Sequence, residues 1–251
     1  MKERGMIFNS EMVRAILDGR KTQTRRIMAP QPADDIERGI FPNPEVIGWK
    51  SSRRHKHGST TAHFCHYGKP GDRIWVRETW GVVSHAFSED GLMIDWVPDR
   101  PATAIHEMLF GNGYYSGYAI YAVDGDFTWG DDDGYEDGRS CWKPSIHMPR
   151  AASRILLEIT GVRVERLNAI SPEDAESEGL ERTNFTGFGD EPGLPSYPEP
   201  DVYFDPLKKQ WKEYPPEAFA GLWESIYGEG SWQANPWVWV IEFKRVEGGA
   251  A

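Results

Sequence analysis

The stretch Ser10–Ile27, SEMVRAILDGRKTQTRRI, decides how the first part of this chain folds. Four apolar residues at the spacing of one helix face lie in its first half: Met12, Val13, Ile16 and Leu17. Asn9 or Ser10 can cap the start of this helix, and Gly19 stands where helices often end. Lys21–Ile27 has β-favouring threonines and no helical period. The stretch therefore predicts a short helix that passes directly into a strand.

Further strand and helix signals follow along the chain without a regular alternation. Strands are predicted at Arg73–Trp80, Tyr118–Val123, Arg154–Leu167 (with a bend, bulge or turn at Gly161) and Trp237–Phe243. Helices are predicted from Ser171 to Gly179 and from Pro216 to Tyr227. Because strands dominate and the helices are scattered, a doubly wound α/β fold is disfavoured. The pattern indicates an α+β chain, a small β-barrel with flanking short helices and long loop insertions, in one domain over residues 1–251.

Composition excludes several classes of protein. The 251 residues carry 28 Lys and Arg against 39 Asp and Glu, a formal charge of −11, which disfavours a broad surface for a polyanion. Two cysteines are too few for a secreted disulfide scaffold. The N-terminus MKERGMIFNSEM is too charged for a signal peptide, and no apolar run is long enough to cross a bilayer. We expect a soluble, cytoplasmic protein with no membrane association.

The polar run after Gly19 is the first candidate site. In an extended segment Lys21 and Gln23 face one way and Thr22, Thr24 and Arg26 the other, unless the turn brings the Lys21 amine beside Thr24. Desolvation lowers the pKa of a lysine in a walled pocket, which lets its amine accept a proton. The alternative is a polar edge strand with solvated charges.

The predicted strand at Arg73–Trp80 is a second candidate. Its arginines, Arg73 and Arg77, alternate with Trp75, and Trp80 closes the segment. Such a pattern can stack a base and hold a phosphate or carboxylate. The alternative is a half-buried strand with tryptophans in the core and arginines outside.

Two further groups of residues have functional and structural interpretations. Glu176 and Glu178 end the Ser171 helix, where at most one can enter a given pocket and solvated carboxylates are common. Soft ligands cluster at His55, His57, His63, Cys65 and His66. Structural zinc sites usually show two paired knuckles, so we predict no metal. Phosphate-binding glycine loops, GxSxG and HExxH are absent from the sequence, and no cofactor is predicted.

The segment Ile16–Arg26 resembles the signature of the ASCH domain superfamily, a PUA-like β-barrel whose motif is GxKxxExR. Gly19, Lys21 and Arg26 match the motif, whereas Thr24 stands where the motif has Glu. The small bacterial N4-acetylcytidine amidohydrolases are similar here and also carry Lys-Thr-x-Thr. The resemblance implies a catalytic set of Lys21, Thr24 and Glu178. The substrate-binding residues that we expect beside this set are Thr22, Arg26, Trp75, Arg77 and Trp80.

The whole chain resembles phage- and prophage-encoded ASCH proteins of about this length. The resemblance rests on Lys69–Trp80, Trp142–Arg150 and Asn235–Val240. The likeness to the amidohydrolases covers only the barrel elements, under half of the chain. Insertions at about 30–68, 84–140 and 183–215 have no counterpart there.

These observations imply three functions. The first is an amidohydrolase acting on a modified cytidine or a related small nucleoside, with Lys21 as base, Thr24 as nucleophile or water-orienting hydroxyl, and Glu178 as proton shuttle. The second is an RNA or modified-base reader, or an RNase, whose phosphate contacts are Arg25, Arg26, Arg53 and Arg54. The third is a phage morphogenesis or host-interaction protein. In each case we expect the protein to be located in the cytoplasm of the bacterial host. The sequence does not predict its oligomeric state.

Overall fold

The computed structural model describes residues 1–43, 46–53, 58–129, 140–183 and 202–246. Within these ranges the α-helices are α1 (Ser10–Leu17), α2 (Pro172–Ser177) and α3 (Pro215–Tyr227). The strands are β1 (Glu3–Ile7), β2 (Gln23–Ile27), β3 (Glu37–Arg38), β4 (Gly48–Ser52), β5 (Thr60–Phe64), β6 (Arg73–Arg77), β7 (Trp80–Val83), β8 (His85–Phe87), β9 (Met93–Asp95), β10 (Thr103–Phe110), β11 (Gly113–Tyr121), β12 (Leu156–Arg166), β13 (Arg182–Thr183), β14 (Val202–Asp205), β15 (Gln210–Lys212) and β16 (Trp237–Arg245). The prediction of an α+β chain dominated by strands is confirmed.

The helices form where capping and periodicity predict them. α1 has the predicted bounds, and α3 begins one residue before the predicted Pro216. At α2 the Ser171 hydroxyl accepts the N–H of Asp174 at 3.1 Å, so the predicted N-cap is confirmed. None of the helices in the described ranges is long and apolar enough to span a membrane.

Two predicted strands differ from the observed ones. The segment Arg73–Trp80 is not one strand, because it divides at Glu78–Thr79 into β6 and β7, which pair in different sheets. Of the bend, bulge or turn predicted at Gly161, a turn between two strands is wrong, since β12 runs through this residue without a break. A Cβ on Gly161 would meet the Glu242 carboxylate, which is the end of a flexible, exposed side chain and would have to shift.

The chain divides into two compact units, each assembled from segments far apart in the sequence. The first unit comprises Met1–Arg14, Asp72–Glu158 and Arg245–Ala251, and the second comprises Ala15–Gly71 and Ile159–Lys244. The boundary falls within β12, so this strand contributes residues to both units. The prediction of a single domain stays a prediction.

In the first unit β6 lies between a parallel neighbour, β1, and an antiparallel one, the start of β12. A second sheet has the order β10-β11-β7, and β8 and β9 form a hairpin. One hydrophobic cluster of this unit comprises Trp80, Ile105, Met108, Ala119, Tyr121, Met148 and Ala152.

In the second unit the later part of β12 neighbours β16, and β16 pairs antiparallel with β2. Two small sheets have the orders β3-β4-β5 and β13-β14-β15. The core packs α2, α3 and β14 against β16, and comprises Leu167, Ile170, Ala175, Leu180, Tyr203, Ala218, Phe219, Leu222, Trp223, Val238 and Val240.

The described strands form open sheets and no closed barrel. β1 has β6 as its one strand neighbour and β2 has β16, so both are sheet edges within the described ranges. The predicted insertions are also more regular than expected, because their described parts contain β3–β5, β8–β11 and β13–β15. Most of these strands have five residues or fewer, which leaves too few alternating positions for a sequence pattern to reveal. The longer ones are β10 and β11, and the end of β11 overlaps the strand predicted at Tyr118–Val123.

Candidate functional site

The turn after α1 places Lys21 against the end of α2. The Lys21 N–H donates to the Ala15 carbonyl at 2.9 Å, and an isolated β-bridge joins Lys21 to Glu178. The Thr22 N–H donates to the Ser177 carbonyl at 2.9 Å. These backbone contacts therefore hold the Cα atoms of Lys21 and Glu178 close together, independently of any contact between the two side chains.

The Lys21 amine and the Glu178 carboxylate form a buried ion pair. Lys21 Nζ donates to Glu178 Oε2 at 2.7 Å and to the Glu178 backbone carbonyl at 2.7 Å. The two side chains are 0% and 2% exposed. Burial lowers the pKa of Lys21, and the Glu178 charge and hydrogen bond offset only part of that effect. The pair is therefore a lysine with a reduced affinity for its proton beside a group able to accept one.

Arg25 holds the other oxygen of the same carboxylate. One guanidinium nitrogen donates to Glu178 Oε1 at 3.2 Å and to the Gln23 side-chain oxygen at 3.1 Å. The other donates to Asp174 Oδ2 at 2.8 Å and Glu165 Oε2 at 3.2 Å. The Arg25 side chain is 0% exposed. The proposed role of Arg25 as a phosphate contact is thus wrong, because carboxylates of its own chain occupy the guanidinium.

Asp174 extends the network toward solvent. It accepts a hydrogen bond from Gln23 at 2.8 Å and one from Arg163 at 2.5 Å, and Arg163 also pairs with Glu242. Desolvation alone would raise the pKa of Asp174, but the bonds from Gln23 and Arg25 and the Arg163 charge outweigh it and lower that pKa. The result is a continuous chain of alternating charges with Glu178 at its buried end.

Thr24 lies on the same strand but outside this network. It is 1% exposed and pairs in register with Ile241, while Gln23 and Arg25 face the other side of β2. Within the described ranges no hydrogen bond joins its hydroxyl to Lys21 or Glu178. The structure therefore brings together two of the three predicted catalytic residues.

The other predicted contacts on this segment are more accessible. Thr22 is exposed, and Arg26 is half-buried and opposite Trp239 in the β2–β16 register. Glu176, the alternative carboxylate, accepts a hydrogen bond from the Tyr203 hydroxyl. As predicted, only one of Glu176 and Glu178 enters the Lys21 site.

Three predicted contacts belong to the first unit. Trp75 and Arg77 are half-buried, and the Arg77 guanidinium lies over the Trp75 ring, 4.8 Å from its centroid. Trp80 is 0% exposed, packs edge-on against Phe110 and belongs to the core of its unit. Its role as a stacking platform is wrong in this structure, because protein covers the ring.

The proposed metal ligands give no site within the described part of the chain, where no group of His, Cys, Asp and Glu has the geometry to hold a metal ion. His63 is 6% exposed and bonded to the Ser51 hydroxyl at 2.8 Å, and burial lowers its pKa. His55, His57 and Arg54 lie outside the described residues.

The segment after α2 covers the Lys21 site. Gly179 has a φ of +90° and packs against the Lys21 side chain closely enough that a Cβ would lie 2.8 Å from that of Lys21. Arg20 donates to the carbonyls of Gly179 and Leu180 at 2.9 and 3.1 Å. Arg20, for which no role was predicted from the sequence, thus binds the Gly179–Leu180 segment.

No role was predicted from the sequence for Asp174 or Arg163, and the contacts of Gln23 and Arg25 with carboxylates were not predicted either. Acidic residues in the first turn of a helix are expected from the helix dipole. Their presence in α2 therefore gave no reason to predict that Asp174 binds Arg25 and Arg163. The alternation of Lys21, Gln23 and Arg25 does place three polar residues on one face of the predicted strand, but it does not indicate whether that face is buried.

No protein-family model matches this chain, and neither a curated protein nor a solved structure does. The resemblance to ASCH proteins therefore stays a prediction.

Proposed function

We propose that this chain is a hydrolase that cleaves the amide of a modified cytidine or a related small nucleoside, with Lys21 and Glu178 as its acid–base pair. The observation that carries the proposal is the 2.7 Å contact between an amine and a carboxylate in a site where neither side chain is more than 2% exposed. The motif resemblance at Gly19, Lys21 and Arg26 supplies the substrate class and the PUA-like relationship, and both are part of the proposal.

Burial favours the neutral form of the Lys21 amine, because it lowers the pKa of this group. Loss of the Lys21 proton to solvent leaves a neutral amine beside the Glu178 carboxylate. Arg25 remains beside Glu178 in either state. The neutral amine is the form that can accept a proton from water.

The reaction then proceeds by addition and elimination at the amide carbonyl. A water oxygen bonds to the carbonyl carbon while one water proton moves to Lys21 Nζ. The carbon–nitrogen bond breaks, and the leaving nitrogen takes the proton held by Lys21, so the products are the amine of the nucleoside and a carboxylic acid, which releases its proton to solvent. Because no hydrogen bond joins the Thr24 hydroxyl to Lys21 or Glu178 within the described residues, we assign water as the nucleophile of this step.

Substrate reaches Lys21 only when its cover moves. Gly179 packs against the start of the Lys21 side chain, and the Arg20 guanidinium donates to the carbonyls of Gly179 and Leu180. Arg20 is partly exposed, with 38% of its side chain open to solvent. Opening of this contact is therefore the step that we assign to substrate binding.

The test is the release of acetate and cytidine from N4-acetylcytidine. We expect turnover by the unmodified chain and none by Lys21→Met or Glu178→Gln. Glu78→Gln is the matched control, since Glu78 is also a buried carboxylate bonded to an arginine, Arg154, but lies in the first unit. The absence of turnover by the unmodified chain, or equal turnover by Lys21→Met, would contradict the proposal.

A second candidate is a reader of RNA or of a modified base. Its supporting observation is the half-buried Trp75–Arg77 pair, which presents a ring face and a guanidinium together. It predicts oligonucleotide binding that weakens steeply with salt and is lost in Arg77→Gln, without turnover. Binding that is unchanged by this substitution would refute it.

A further inference from the structure

The second unit holds a cavity of about 410 Å³ between α3 and the β14–β15 hairpin. None of the residues of the Lys21–Glu178 network lines it. Its size falls within the range of small-molecule sites, roughly 300 to 1,000 Å³. The cavity is thus large enough for a ligand and is separate from the proposed reaction site.

A buried carboxylate stands in the wall of this cavity. Asp205 is 1% exposed, and its Oδ1 accepts the N–H groups of Leu207 and Lys208, each at 3.0 Å. Across the described residues no cation pairs with Asp205, and no hydrogen bond is made to its Oδ2. Removing a carboxylate from water without a counter-charge is costly. A cationic group in the cavity would supply the missing partner.

The backbone of α3 is shaped to admit this carboxylate. Gly221 lies directly against Asp205, and a Cβ at that position would overlap both the carboxylate carbon and its oxygens. Gly221 has an ordinary helical place within α3, where glycine is less favourable than alanine by about 1 kcal/mol. The glycine therefore has a packing reason, which is to let Asp205 reach the cavity wall.

The rest of the lining carries charges of both signs together with aromatic rings. Glu217 and Glu224 come from α3, whereas Lys208 and Lys212 come from the hairpin. Tyr214 and Trp232 supply ring faces, on which an ammonium group or its aliphatic carbons can pack. A ligand with only a positive charge would be repelled by the two lysines, and a ligand with only a negative charge would be repelled by Asp205. A ligand with both charges satisfies both sets.

We propose that this cavity binds a small zwitterion with a primary ammonium group at one end and a carboxylate at the other. The ammonium lies at Asp205, the carboxylate lies at Lys208 and Lys212, and the aliphatic body packs on Trp232. The site goes beyond the proposed hydrolase activity and does not depend on it.

The experiment compares three probes of equal length: 4-aminobutanoate, butylamine and butanoate. Binding is measured by calorimetry and by chemical-shift changes of the Trp232 indole. We expect 4-aminobutanoate to bind most tightly, butylamine more weakly and butanoate least. Asp205→Asn keeps the acceptor for the two N–H groups but removes the charge, so we expect it to weaken 4-aminobutanoate at least about 10-fold, or 1.4 kcal/mol.

A second pair of variants tests the other end of the ligand. Lys208→Gln/Lys212→Gln should weaken 4-aminobutanoate and leave butylamine unchanged, and thermal unfolding of each variant shows whether it is folded. Lys209→Gln is the matched control, because Lys209 neighbours Lys208 but does not line the cavity. If Asp205→Asn fails to fold, the lysine variants decide the result. Equal binding of the three probes, or no loss in the lysine variants, overturns the proposal.

Discussion

Lys21 Nζ lies 2.7 Å from Glu178 Oε2, although 157 positions separate the two residues in the sequence. The turn after α1 delivers the lysine and the end of α2 delivers the glutamate, so one contact ties two distant segments of the second unit together. Its loss therefore has two consequences that experiments can separate, one on stability and one on chemistry.

The first prediction concerns stability. Glu178→Leu leaves the Lys21 amine buried without its carboxylate, and we expect the free energy of unfolding to fall by about 3–5 kcal/mol. Adding Lys21→Met should recover part of this loss, since the second substitution removes the uncompensated charge. Urea unfolding of the single and double variants measures both values. A double variant as unstable as the sum of the two singles would contradict the prediction.

The second prediction concerns the dependence of the rate on pH. Burial lowers the pKa of Lys21, and the neutral amine is the reactive form, so kcat/KM for the acetylated nucleoside should rise with pH and level off below about 10.4, the ordinary value for lysine. Lys21→Arg stays protonated throughout and should be inactive at every pH. A rate that keeps rising through pH 10.4 in proportion to hydroxide would exclude this role for Lys21.

The third prediction concerns stability at low pH. The pKa of Asp174 is lowered in the folded chain, so its contribution to stability is present above its unfolded value of about 3.9 and is lost as pH falls through the folded value. The unmodified chain should therefore lose more stability than Asp174→Asn as the pH falls from about 5 to below the folded pKa. Urea unfolding across this range tests it, and parallel pH profiles for the two proteins would show that Asp174 contributes nothing.

Much of the local structure could be predicted from the sequence, because it depends on neighbouring residues. The Ser171 cap and the apolar face of α1 act within a few positions, and both were read correctly. The pairing of Lys21 with Glu178 was expected from a motif resemblance, not from periodicity. Patterns of neighbouring residues do not predict contacts between segments that are far apart in the sequence.

The remaining features could not be predicted, for two physical reasons. Several strands of the insertions are too short to show alternation, as β8 and β9 illustrate with three residues each. The role of Arg25 depends on four partners from β2, β12 and α2, and no local pattern indicates that an arginine will be enclosed by acids. A charged residue on a strand is equally compatible with solvent.

The fourth prediction concerns a second buried carboxylate, Glu78. We expect its contribution to stability to change with pH in the direction opposite to that of Asp174. Glu78 accepts two hydrogen bonds from Arg154, at 3.1 and 3.0 Å, and Arg154 also pairs with Asp124. Desolvation raises the pKa of Glu78, and Arg154 offsets only part of this effect. An acid with a raised folded pKa binds its proton more tightly when folded. Its contribution to stability is thus present below the unfolded value of about 4.3 and is lost as pH rises through the folded value.

Glu78→Gln has no such titration, so its stability should improve relative to that of the unmodified chain as pH rises above about 4.3. For Asp174→Asn the relative stability should worsen over the same change in pH. Urea unfolding of both variants in one series of buffers gives this comparison, in which each variant is the control for the other. If the two profiles move in the same direction relative to the unmodified chain, then Arg154 fully compensates the burial of Glu78, and the assigned direction of its pKa is wrong.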